Sequence, residues 1–220
     1  MNFFGHAAVA SWSSPAPATV LGAMLPDFAT MVRVRLADPT DTAIAAGIAH
    51  HHATDAAFHG MPAVLGLMRE LDDRLAALAC ARGPRRAVAH IGVELLLDGV
   101  LVSEPAYRDA YTDALTCDPA GVRWRDDDGP ARLDTLLARL RTHGAPDDLR
   151  RPHAITQRLH RMLAHRPLLA PSPTDLDAID RALAAYQPRV EAAADTVLRA
   201  LRQGSDTTCT TCVDKSKLST

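Results

Sequence analysis

Aromatic residues make up only 4% of this 220-residue chain, so any core has to be built mainly from Ala, Leu and Val. Lysine is nearly absent: of 24 basic residues, only Lys215 and Lys217 are not arginine. An excess of positive charge is missing as well. The formal net charge is -2, which excludes the strongly basic footprint of a nucleic-acid polymer binder. No stretch of eighteen apolar residues occurs, so no membrane span is expected. No charged segment precedes the apolar N-terminal stretch as in a secretory leader, and a cytoplasmic protein is the expectation. Cysteine is limited to Cys80, Cys117, Cys209 and Cys212. The last two form a single C-x-x-C with neither a second pair nor a βαβ context, so they are read as incidental.

What the chain does have is apolar material, 47%, arranged with helical periodicity almost throughout. Helices are expected over "NFFGHAAVASW", over "ATVLGAML" up to Pro26, and from a Thr40–Asp41 cap through Phe58. Others follow over 63–81, about 85–102, 105–116, 131–142, 153–165 and 174–202, the last broken or kinked at Pro188. "DPAGVRWRDDDGP" reads as a loop. No alternating strand pattern, repeat or linker interrupts residues 1–203. From residue 204 the style changes to "GSDTTCTTCVDKSKLST", which has little to bury and reads as a disordered tail. The expected fold is all-α: one compact multi-helix bundle over 1–203 with a tail over 204–220.

Polar residues then stand out by their setting. "GIAHHHATDAAFHG" (47–60) carries four of the ten histidines. Three readings compete for it: a solvated face, a pH-sensing cluster, or half of a metal site. Positions four apart on a helix differ by about 40°, so His51, Asp55 and His59 form one slanting row. His90, Glu94 and Asp98 form another, as the polar residues of the otherwise apolar "AVAHIGVELLLDGVL". A helix of that composition is buried, and buried carboxylates need pairing, protonation or a metal. Two facing rows would make a histidine–carboxylate metal site inside a helical bundle, with N and O donors suited to Mn, Fe, Zn or Mg. A structural ion network with arginines is the plainer alternative. His50 and His52 fall off the row. His6 in "NFFGHAAVA" and Asp27 in "LGAMLPDFATM" are two further polar residues in apolar surroundings, Asp27 just past a helix end at Pro26.

These segments resemble the acyl carrier protein phosphodiesterase family, whose fold is related to the HD-domain phosphohydrolases. The resemblance rests on "NFFGH" with His6, "LGAMLPDF" with Asp27, and "GIAHHHATD" with Gly47, Ile48, His51 and Asp55. It continues more weakly through "MLAHRP" and "YQPRVEAAA". It implies an HD-like bundle and a metal-dependent hydrolase, typically using Mn, that releases phosphopantetheine from a serine of acyl carrier protein. His6, Asp27, His51 and Asp55 carry over to positions at or near the metal. Three departures stand against this. The family has an aspartate at His59, and it has Asp-x-x-x-Asp-His where this chain has Glu94, Asp98 and Gly99. This chain also gains His90.

The expected metal-ligating residues are therefore His6, Asp27, His51, Asp55, His90, Glu94 and Asp98, holding one or two divalent ions. Asp55, His59 and Asp98 are the expected catalytic acids and bases. Arg33, Arg35, Arg85 and Arg86 are candidates for gripping phosphate or an acidic acyl carrier protein. Two alternatives stay open. One is the same architecture acting on another phosphoester, such as a nucleotide or lipid phosphate. The other is a non-enzymatic helical binding module with a vestigial site.

Overall fold

Proline, glycine and aspartate punctuate the helices much as their backbone chemistry dictates. The computed structural model describes the backbone of residues 1–213 and the side chains of 1–203. It is an all-α bundle of α1 (Phe3–Ser13), α2 (Pro17–Val32), α3 (Thr42–Gly60), α4 (Pro62–Ala77), α5 (Arg82–Leu101), α6 (Pro105–Thr116), α7 (Gly129–His143), α8 (Pro152–Leu163) and α9 (Pro173–Val213). Prolines open α2, α4, α6 and α8, where the missing N–H has no partner to lose. Asp41 caps α3 as expected, its Oδ1 accepting from the backbone N–H of Ala43 and Ile44.

Several boundaries differ from the sequence reading. Pro26 does not end a helix but lies inside α2, and Pro188 lies inside α9. Packing on both sides of each proline outweighs the one hydrogen bond it removes. Asp27 therefore projects from a helix interior rather than from a helix end. Gly83 and Pro84 belong to the first turn of α5; α4 has already stopped at Ala77. A two-residue antiparallel ladder pairs Leu36 with Trp124 and Ala37 with Arg123, too short to leave an alternating pattern. The helix α9 is drawn ten residues into the segment expected as a tail. Residues 214–220 lie outside the described residues, as do the side chains of Cys209 and Cys212.

Burial is deepest along α1 and the middle of α5. Every residue from Phe3 to Ala10 is buried, and so is every residue from Gly92 to Gly99. A helix apolar all round belongs at the centre, so any polar side chain on these two is carried inside with it. Around them the closest crossing is between α2 and α3. A Cβ on Gly22 would collide with the Ile44 carbonyl oxygen, and one on Gly47 with that of Thr19. These two glycines let the backbones touch, which sets how near Asp27 and His51 come, each about a turn further along its helix. Among the described residues no helix is long and apolar enough to cross a membrane.

Candidate metal centre

The first set of donors lies where α1, α2 and α3 meet. His6, Asp27 and His51 each bring a ligand atom within 4.8 Å of the other two, and the two imidazoles stack with centroids 3.8 Å apart. His51 Nδ1 lies 2.9 Å from the Ala23 carbonyl oxygen. A carbonyl only accepts, so Nδ1 carries the proton and Nε2 keeps its lone pair. That is the usual support for a metal-bound histidine. Burial pushes the His51 pKa down to about 4 and lowers that of His6, so both rings are neutral at pH 7, the ligating form.

This set is not satisfied by the protein itself. His6 is fully buried and neither of its ring nitrogens has a hydrogen-bond partner. Asp27 Oδ2 is likewise buried without one, and burial pushes the Asp27 carboxyl up to about 7. Each such group costs about 1–3 kcal/mol, and native proteins tolerate few of them. Two unpartnered groups in one place, each offering a lone pair once Asp27 ionises, fit a cation beside the lone pair of His51 Nε2.

The second set lies where α3 meets α5. His59, His90 and Glu94 also bring ligand atoms within 4.8 Å of one another. Glu94 Oε1 is 3.1 Å from His90 Nε2 and 3.4 Å from His59 Nε2. The two expected rows therefore do face each other. Asp55 stands between the sets: its Oδ1 is 3.2 Å from His59 Nε2 and 3.7 Å from His6 Nε2. The Met1 ammonium lies 3.1 Å from that oxygen and 3.5 Å from Glu94 Oε1. The neighbouring His6, the Met1 ammonium and His59 hold the Asp55 carboxyl below the carboxylate range, against partial burial. Burial pushes Glu94 up, but His90 and the Met1 ammonium outweigh it and leave Glu94 low. The Glu94 hydrogen bond in turn raises His90, while burial lowers His59.

Asp98 joins neither set. It is buried at the base of the α5 row, with both carboxylate oxygens unpartnered, and burial raises its pKa well above the usual value. Its Oδ1 packs against Gly5, where a Cβ would sit 2.5 Å away. The glycine in "NFFGH" thus makes room for an acid that burial makes reluctant to ionise. Of the arginines, Arg35 is bound to Asp126 and Arg85 to Asp72, each at 3.0 Å, which ties both down away from the donor sets. Arg33 is exposed and caps α2 in the left-handed region. Arg86 is exposed one turn before His90 on the ligand row, and no contact ties it to either donor set among the described residues. His50 pairs with Thr54, and His52 is exposed off the row, edge-on to His51. The sequence reading missed the supporting parts: the Ala23 carbonyl, Gly5 and Gly22. A backbone acceptor leaves no mark in residue type.

No family model, no curated protein and no solved structure matches this chain.

The raised Asp27 pKa has a measurable consequence. An acid whose pKa rises on folding, here from 3.8 to about 7, holds its proton more tightly in the native state. It costs stability progressively as pH climbs from about 4 to 7, and fully above that. With metal removed by chelator, Asp27→Asn is expected to be more stable than wild type at pH 8 by up to about 4 kcal/mol, with the gain vanishing near pH 4. Saturating Mn²⁺ reverses the order, because only the wild type keeps the ligand. Urea midpoints at both pH values check this, and a difference independent of pH contradicts it.

Proposed function

We propose that this protein is a metal-dependent phosphoester hydrolase that binds a divalent cation, Mn²⁺ foremost, through His6, Asp27 and His51 with Asp55 alongside. The observation that carries the reading is the convergence of His6, Asp27 and His51 from three helices, with the His6 ring and Asp27 Oδ2 buried and unpartnered. N and O donors without thiolate favour Mn, Fe, Zn or Mg over softer ions. The proposed substrate is the phosphodiester joining phosphopantetheine to a serine of acyl carrier protein, supported by the resemblance in "NFFGH", "LGAMLPDF" and "GIAHHHATD".

When bound, such an ion lowers the pKa of water and takes up charge from phosphoryl oxygens. The protein groups do the rest. Asp55, ionised and part-exposed, accepts the proton of the attacking water on its Oδ2, with its Oδ1 held beside His59. The water oxygen bonds to phosphorus, the phosphorus–oxygen bond to serine breaks, and the serine oxygen leaves with a proton from solvent. Arg86 grips the phosphate as a bidentate donor.

One observation favours a different phosphoester. The family histidine is replaced by Gly99, and a Cβ at Gly99 would run into the Leu149 carbonyl oxygen, so no side chain fits there. Incubating the Mn²⁺-loaded protein with phosphopantetheinylated acyl carrier protein and with bis-p-nitrophenyl phosphate tests both readings. Loss of the phosphopantetheine mass from the carrier protein is expected. Turnover of the small ester alone moves the assignment to another phosphoester, and turnover of neither contradicts the hydrolase.

A further inference from the structure

We propose that His59, His90 and Glu94 hold a second divalent cation, outside the first and weaker, with Asp55 Oδ1 shared between the two. This rests on reading the inner donors as a metal site.

The geometry is close to what an ion needs. Metal–ligand bonds of about 2.0–2.2 Å in tetrahedral array separate ligand atoms by roughly 3.3–3.6 Å. Glu94 Oε1 stands 3.1 Å from His90 Nε2 and 3.4 Å from His59 Nε2, and Asp55 Oδ1 stands 3.2 Å from His59 Nε2. The two imidazoles stack at 4.7 Å and 19°, both directing Nε2 at one carboxylate oxygen. One hydrogen bond between His90 and Glu94 accounts for half of that arrangement. It leaves His59 Nε2, a single site, facing oxygens of both Asp55 and Glu94. A cation at the common focus of His59, His90 and Glu94 accounts for both imidazoles and the carboxylate, with Asp55 Oδ1 beside it at His59. Two histidines with one or two carboxylates are an ordinary set for Zn or Mn. The Met1 ammonium touches the same two carboxylates, so an ion binding here competes with it.

His59 and His90 lie on different helices, yet the fold brings them to one carboxylate. The unequal affinity follows from exposure. His6 is fully buried, whereas the His90 side chain is 50% exposed. An outer ion therefore exchanges with solvent and keeps positions free for water and a phosphoryl oxygen.

Titration of the full chain with Mn²⁺ alone, followed by electron paramagnetic resonance, tests this. Wild type is expected to take up two equivalents in two steps, the second at least about tenfold weaker, with an exchange-coupled signal appearing only on the second. His90→Gln and, separately, His59→Gln weaken the second step by about tenfold or more. Both keep the first step and the helical content. Uptake of one equivalent by wild type overturns the second site and leaves the inner one standing. So does a second equivalent that is uncoupled and survives both substitutions. No uptake at all overturns the inner site with it, whereas two coupled ions without phosphoester turnover overturn the hydrolase and keep this site.

Discussion

Asp55→Ala is expected to lower phosphoester turnover by about a thousandfold or more at saturating Mn²⁺ while helical content stays unchanged. One oxygen of this residue lies within 3.7 Å of His6, His59 and the Met1 ammonium, so the substitution removes a single group that serves both donor sets. Loss of a positioned general base alone costs about 10²–10⁴ in rate, and loss of a shared ligand adds to it. The side chain is 39% exposed, and no apolar packing depends on it, so the fold should survive. Steady-state kinetics alongside circular dichroism check this. Activity within about tenfold of wild type would remove Asp55 from the chemistry.

Gly47→Ala should damage the same site through the backbone. Its new Cβ would meet the Thr19 carbonyl oxygen, and it would lie 2.7 Å from Gly22 Cα and 2.8 Å from Ala23 N. Backbone atoms cannot swing aside as side-chain ends do, so α2 and α3 have to separate. Overpacking of this kind costs about 3 kcal/mol, or about 6–12 °C in melting temperature for a chain of this size. The separation also pulls His51 Nδ1 from the Ala23 carbonyl and spreads His6, Asp27 and His51. Metal affinity should thus fall along with stability. Gly66→Ala provides the contrast: a Cβ there meets nothing within 4 Å, and a mid-helix glycine replaced by alanine gains about 0.5–1 kcal/mol. Equal melting temperatures for Gly47→Ala and wild type would show that the crossing does not depend on close backbone contact.

Legibility in the sequence followed the range of the forces involved. The i, i+4 rows on α3 and α5 were readable because helical spacing is local, and because carboxylates in an apolar helix stand out. The Asp41 cap was readable for the same reason. Pro26 misled because its usual effect is local, whereas the packing that overrides it comes from elements distant in sequence. Whether Asp98 joins the donor sets or packs against Gly5 depends on the depth of α1, which no pattern within α5 encodes. The arginines were the least legible. Arg35 and Arg85 are bound by Asp126 and Asp72, partners that only the tertiary fold identifies.

The central claim is that this bundle encloses a metal site, and elemental mass spectrometry of the purified chain after Mn²⁺ reconstitution and gel filtration tests it most directly. At least about one equivalent of bound ion in wild type, lost in His51→Ala, is the predicted result. Wild-type protein that emerges without metal would contradict the account and make the histidine cluster a polar face.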